Sequence, residues 1–208
     1  MIGTMAELPG RRGLAVLVFA VVLAVAGSAT AETRSALNHP FVLQDADGKT
    51  VTSDDFAGRW LLIYFGYTHC ADQCPTALSA LADALNEIGP AAEHIQPIFV
   101  TVDPERDHGP ALRAFTAAFD PRIVGLTGNN AQVADAAQMF GVEYKQVLAG
   151  SGDYVIDHST ALSLVAPDRR HGITFAFAEP YLIAAKLIDE LQRGGAALGA
   201  LNNLGAYR

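Results

Sequence analysis

Six apolar residues in a row, Trp60-Leu61-Leu62-Ile63-Tyr64-Phe65, run directly into Gly66. A run without alternation, rich in aromatic and β-branched members, fits a central strand covered on both faces. Downstream, Leu78, Leu81, Leu85 and Ile88 recur at spacings of three and four, which is one face of a helix, and Ile98-Phe99-Val100-Thr101-Val102 reads as the next strand. Together these make a βαβ unit, whose right-handed crossover renders the strands parallel and lays the helix on one face of the sheet. Cys70 and Cys74, the two cysteines of the chain, fall between the first strand and the helix. Open α/β sheets place their ligand sites there.

The same rhythm continues on either side. Asn38 to Val51 predicts an extended hairpin around Asp47-Gly48 that covers one end of the core. Leu112, Phe115 and Phe119 mark a helix after Gly109-Pro110, Ile123 to Leu126 a short strand, and Val133, Ala137 and Phe140 a helix with Asn130 as its cap. Val142 to Leu148 reads as a strand and Ala149 to Asp153 as a loop. Ala161 to Val165 and Ile173 to Phe177 flank the polar turn Asp168 to Gly172 as an antiparallel pair. A last helix carries Ile183, Leu187 and Leu191, and the Gly-, Ala- and Asn-rich residues 194–208 read as a loosely held tail. A βαβ unit with a cysteine pair at its first turn and a strand-rich end predicts an α/β protein of thioredoxin-like fold, with a central mixed sheet flanked by helices and an N-terminal hairpin.

The amino terminus reads as an export signal. Arg11 and Arg12 precede the apolar block Leu14 to Ala26, and Ala29-Thr30-Ala31 supplies the small residues of a cleavage site before Glu32. About 13 apolar residues fall short of the roughly 20 that span a bilayer, so cleavage is favoured; an uncleaved anchor over residues 13–31 is the alternative. The expected organisation is a signal or anchor over 1–31, one domain over 32–193 and the tail. Only Arg11, Arg12 and Glu7 of the 14 basic and 22 acidic residues precede residue 32, leaving the remainder a net charge of about −9. That charge, with no basic run interleaved with aromatics, argues against nucleic acid as a partner. Nothing after residue 31 is apolar for long enough to cross a membrane, so any membrane attachment is expected through the amino terminus.

An exported domain sits in an oxidising compartment, where two unpaired thiols need a reason to persist. A structural disulfide between Cys70 and Cys74 would close a loop of about five residues for roughly 2 kcal/mol, the low end of the usual range. If Pro75 takes the first helical position, Cys74 is the cap, its sulfur faces the positive end of the helix dipole, and its thiolate is favoured. Two sulfurs aimed at one point suit a soft metal ion or a reversible disulfide. Three histidines are candidates for a further ligand: His158, on a loop able to reach the cysteines; His69, whose neighbour Cys70 points it away; and His108. Asp157 is a candidate to orient His158, a turn role being equally open, and Asp72 reads as a solvated loop carboxylate. Asp103-Pro104-Glu105-Arg106 reads as a turn with Asp103 capping and Glu105 and Arg106 exposed.

Four separated segments carry a family resemblance: Leu62 to Cys70 continuing through Asp72, Cys74, Pro75 and Thr76; Thr101-Val102-Asp103-Pro104-Glu105-Arg106-Asp107; Gly125-Leu126-Thr127-Gly128; and Asp153-Tyr154 with Asp157-His158-Ser159. In this order they closely resemble the SCO/SenC family of thioredoxin-like copper proteins, over about Phe41 to Leu191. The chain departs from the pattern at Ala71, commonly proline, and at Gln73, often apolar. The resemblance implies that Cys70, Cys74 and His158 are copper ligands. It also implies that the protein delivers copper to the binuclear centre of cytochrome c oxidase subunit II, or maintains the thiols of that centre, in the periplasm or on the periplasmic face of the inner membrane. A copper donor protein is then a second partner.

Soft thiolates select Cu(I), and a nitrogen ligand extends tolerance to Cu(II). Structural zinc fits less well, because a closed tetrahedral site needs a fourth protein ligand and there is no second cysteine pair. A binding protein is thus favoured over an enzyme. The competing reading is a thiol–disulfide oxidoreductase, which needs the cysteines and not His158. A thiol peroxidase is the weakest of the three: peroxiredoxins carry threonine three residues before the reactive cysteine, and those positions are Ala71 and Tyr67.

Overall fold

The computed structural model describes residues 33–34, 37 and 39–194. The expected signal or anchor and the tail beyond Gly194 lie outside the described residues. Strands are β1 (Thr33–Arg34), β2 (Val42–Asp45), β3 (Thr50–Thr52), β4 (Trp60–Gly66), β5 (Ile95–Thr101), β6 (Val124–Thr127), β7 (Tyr144–Leu148), β8 (Tyr154–His158), β9 (Ala161–Val165) and β10 (Gly172–Ala176). The α-helices are α1 (Gln73–Glu87), α2 (Gly109–Ala117), α3 (Asn130–Met139) and α4 (Pro180–Arg193).

Every residue of β4 and β5 is buried, as the unbroken apolar run requires of strands at the middle of a sheet. The two are parallel, with Trp60 opposite Ile95 and Gly66 opposite Thr101. The eight-stranded sheet has the order β1-β10-β9-β4-β5-β6-β2-β3, with β4, β5 and β6 parallel to one another and the remaining pairings antiparallel. Leu78, Leu81, Leu85 and Ile88 of the predicted helical face are all buried. α1 packs against α4, α2 lies against β6 and α3 against β2. This is the mixed, helix-flanked sheet expected from the pattern.

Three local expectations are corrected. The N-terminal hairpin forms, with Gly48 taking the left-handed φ of 77° that its turn needs, but β2 pairs with β6 and so extends the main sheet rather than capping it. Asn129, not Asn130, caps α3: its side chain accepts the Gln132 N–H at 2.9 Å and the Gln132 side chain accepts the Asn129 N–H, a reciprocal capping box. The strand expected over Val142 to Leu148 begins at Tyr144 and pairs only with β8, whose strand character sequence reading missed, in a separate two-stranded ladder. His158 is the last residue of that ladder.

Candidate metal centre

β4 ends at Gly66 and the chain turns through Tyr67 to Ala71 into α1. A β-carbon on Gly66 would stand 2.9 Å from Cys74 Sγ and 2.9 Å from the Phe99 ring, so glycine here makes room for the sulfur. Asp107 secures the turn. Its carboxylate is wholly buried and accepts the Thr68 N–H at 2.7 Å, the Thr68 hydroxyl at 2.5 Å and the Thr101 hydroxyl at 2.7 Å. Nothing in local spacing signals this role, because Asp107 and Thr68 are 39 residues apart.

The helix starts two residues earlier than Pro75 at its first position would require. Asp72 is the N-cap and Gln73 the first helical residue, so Cys74 lies inside the first turn and Pro75 after it. Cys74 is fully buried and Cys70 is partly exposed. This reverses the expected division of thiol character. Burial pushes the Cys74 thiol up to about 12, against a weaker opposing pull from the Tyr67 N–H. Burial also raises Cys70, but the N–H groups of Cys74 and Asp72, the Cys74 thiol and the Gln73 N–H together outweigh it and hold that thiol below its ordinary value. The helix start therefore serves Cys70, whose sulfur accepts the Cys74 N–H at 3.3 Å.

β8 brings His158 to the same place. Its Nε2 stands 3.6 Å from Cys74 Sγ, and its ring meets Tyr67 edge-on at 5.9 Å between centroids and Tyr64 at 6.4 Å. Nδ1 is 3.0 Å from the Ser159 carbonyl. A carbonyl only accepts, so Nδ1 carries the proton and Nε2 presents its lone pair to the sulfur. Burial lowers the His158 pKa, partly offset by the Ser159 carbonyl and Asp157, which keeps the ring neutral near pH 7. Asp157 does not orient it: that carboxylate pairs with Lys145 at 3.4 Å on the outer side of the hairpin. The orienting group is Ser159, which sequence reading missed.

The other candidates lie outside this cluster. His69 is 56 % exposed, with Nδ1 3.1 Å from the Thr68 hydroxyl and 3.6 Å from Asp107. His108 is exposed at the start of α2. Asp72 is exposed and works through its carbonyl, which accepts the Thr76 N–H and hydroxyl at 3.2 and 2.9 Å. In the turn after β5, Glu105 is exposed as expected, whereas Arg106 is only 19 % exposed and forms an ion pair with buried Asp103. A cleft of about 410 Å3, lined by Glu143, Tyr144, Lys145, Asp157, His158 and Ser159, opens beside the histidine.

Two thiols and one imidazole nitrogen at a partly open turn can take a soft cation or exchange disulfides. Among the described residues, no three His, Cys, Asp or Glu side chains are already drawn to metal-binding distance. Cys70 must turn its sulfur from the Cys74 amide toward the Cys74–His158 gap to complete a trio.

Residues 29–193 match the family model described as SCO1/SenC. The human mitochondrial SCO2 homologue is 42 % identical over 134 residues, covering 62 % of this chain and 49 % of that one. The SCO2-like protein RP587 of Rickettsia prowazekii is 37 % identical over 163 residues, 77 % of each chain. The chain spans about half the length of several curated relatives it matches. Among solved structures, Bradyrhizobium japonicum ScoI with copper bound is 37 % identical with a TM-score of 0.67, over 74 % of this chain and 99 % of that one. Arabidopsis thaliana ScoI with copper bound is 31 % identical with a TM-score of 0.71, over 76 % and 99 %. With the family model spanning the whole described domain, this chain belongs to the SCO1/SenC family.

Proposed function

We propose that the chain binds one copper ion through Cys70, Cys74 and His158 and passes it to the binuclear copper centre of cytochrome c oxidase subunit II during assembly, having received it from a donor protein. The observation that carries this is the 3.6 Å approach of His158 Nε2 to Cys74 Sγ, with Nδ1 committed to Ser159. A tetrahedral ion with bonds of about 2.0 Å to nitrogen and 2.3 Å to sulfur separates its two donors by about 3.5 Å. The gap therefore has the right span. Copper fits the donor set, since thiolates favour Cu(I) and the imidazole accommodates Cu(II). Uptake displaces the Cys74 proton, so binding releases acid. With three protein ligands, one coordination position is left for a partner's ligand to enter before a cysteine leaves. An exported location goes with this reading, periplasmic or anchored with the domain on the periplasmic side.

The division between the thiols supports a second reading, disulfide reduction at the same oxidase site. Cys70, the lower-pKa and more accessible thiol, attacks a partner disulfide as thiolate and displaces one partner thiolate. Cys74 then gives up its proton and attacks Cys70 Sγ, releasing the second partner thiolate. The partner gains two electrons, the pair becomes a disulfide, and a thiol reductant must restore it.

Copper stoichiometry and affinity of the reduced chain, for Cu(I) and Cu(II), test the first reading alongside His158→Ala. One tightly held ion per chain, weakened by the substitution while glutathione exchange persists, is expected. Equal affinity in the variant overturns the three-ligand site. Little copper binding with rapid glutathione exchange assigns the function to the thiols alone.

A further inference from the structure

β8 holds His158 at the cysteines, yet β8 pairs with no strand of the eight-stranded sheet. A two-stranded ladder is marginal in water, so its position depends on what ties it to the domain. Alternation along the strand puts Tyr154, Ile156 and His158 on one face and Val155 and Asp157 on the other. Exposure agrees: Ile156 is 4 % exposed, whereas Val155 is 45 % exposed and the Asp157 side chain 67 %. The inner face thus carries an anchor, a plug and a ligand in turn.

The anchor is built from three side chains. Tyr154 donates its hydroxyl to Asp103 at 2.8 Å, and the Arg106 guanidinium lies 3.7 Å from the centre of the Tyr154 ring. Arg106 Nη1 donates to the Tyr154 carbonyl and to Asp153, both at 3.2 Å, while its Nε pairs with Asp103. The ring is therefore gripped at its face, its hydroxyl and its backbone by the turn that follows β5. At this end the opposite strand adds no side-chain grip, since Leu148, the register partner of Tyr154, is 86 % exposed, whereas Tyr144 packs against the core at the His158 end. Four residue steps of strand lead from Tyr154 to His158, about 13 Å, so the hairpin is a short lever with its fulcrum at Ile156.

We propose that Tyr154, clamped by Arg106 and Asp103, is a positioning residue that latches the hairpin and thereby sets how closely His158 approaches the cysteines. This rests on reading His158 as a metal ligand. Opening the latch withdraws the imidazole and leaves a two-sulfur site, from which copper leaves faster.

The test compares Tyr154→Leu, Tyr154→Phe and His158→Ala in the full chain. Copper release to a Cu(I) chelator, the Cu(II) electron paramagnetic resonance spectrum, amide exchange in metal-free β8, and glutathione exchange are measured for each. Tyr154→Leu is expected to release copper about tenfold faster, to move the Cu(II) spectrum toward that of His158→Ala, and to speed exchange in β8. Glutathione exchange should hold, and Tyr154→Phe, which keeps the ring under Arg106, should restore most of the wild-type behaviour. Wild-type release and spectrum in Tyr154→Leu, where His158→Ala changes both, overturn the latch and leave the ligand reading intact. If His158→Ala changes neither, the ligand reading fails, and unchanged β8 exchange in Tyr154→Leu then overturns the latch as well. Should Tyr154→Leu not fold, Arg106→Lys replaces it, since an ammonium loses the stacked plane and the fork of donors.

Discussion

Gly66 and Cys74 occupy one space: the position a β-carbon on Gly66 would fill is 2.9 Å from the Cys74 sulfur, and Phe99 stands equally close on another side. Gly66→Ala must therefore displace the sulfur or the β4 backbone. Overpacking of this kind costs about 1–3 kcal/mol. Urea unfolding of the reduced protein should show that loss. Copper affinity should fall with it, because the displaced atom is a proposed ligand; unchanged values of both would show that the turn yields without consequence.

Asp107 supports the turn from beneath. Removing its carboxylate leaves the Thr68 N–H and the Thr68 and Thr101 hydroxyls without their acceptor, at about 1–3 kcal/mol for each group that stays buried and unpaired. Asp107→Ala is expected to lower the unfolding free energy by about 3 kcal/mol, and Asp107→Asn, which keeps one oxygen, by less. The alkylation profile of Cys70 should drift toward that of a free thiol as the N–H groups around its sulfur lose their fixed direction.

The two thiols should titrate apart. Iodoacetamide reacts with thiolates, so it should label Cys70 first, with an inflection below the ordinary thiol value of 9.0, and reach Cys74 only on unfolding. Stability carries the same signature. Folded Cys74 keeps its proton to about pH 12, whereas the unfolded thiol loses it near its ordinary 9.0, so between those values the folded state binds more protons. Stability should decline there as pH rises, by on the order of 1 kcal/mol per pH unit. Cys70 acts oppositely, adding stability as pH rises from its own lowered value to 9.0. Denaturation midpoints from pH 7 to 10 check this; Cys74→Ala should abolish the decline in that range, whereas above pH 10 Tyr64 and Tyr154, whose hydroxyls burial also pushes up, bring a decline of their own.

What could be read from the residues was what local pattern encodes. The unbroken run at Trp60 to Phe65 dictates a buried strand, and the three-and-four spacing from Leu78 dictates a buried helical face, so the βαβ unit and the cysteine turn follow without tertiary information. The thiol assignment inverts because it hinges on two residues of helix register: Gln73 rather than Pro75 opens α1, which carries Cys74 inward. Arg106 reads as exposed from local sequence because its contacts, Asp153 and Tyr154, are 47 and 48 residues away. The periodicity of Tyr144 to Leu148 marks a strand, but periodicity cannot say which strand it pairs with, and here that choice decides how His158 is held.

Arg169 is a further long-range tie, at the end of β4 away from the cysteines. It is a non-glycine residue at φ 60°, and its guanidinium donates to the carbonyls of Ser53, Phe56 and Arg59 at 2.9, 2.8 and 2.9 Å and of Ala166 at 3.3 Å. One side chain thus joins the turn before β4 to the turn after β9. Arg169→Ala should cost about 3 kcal/mol, since it strands buried carbonyls and keeps the left-handed backbone. Arg169→Gly loses the same bonds, but glycine adopts that φ freely, so it should be more stable than Arg169→Ala by about 1 kcal/mol. Both variants should bind copper as the parent does, because β4 lies between Arg169 and the site. Denaturation midpoints in the reverse order would assign the strain at φ 60° no energetic role.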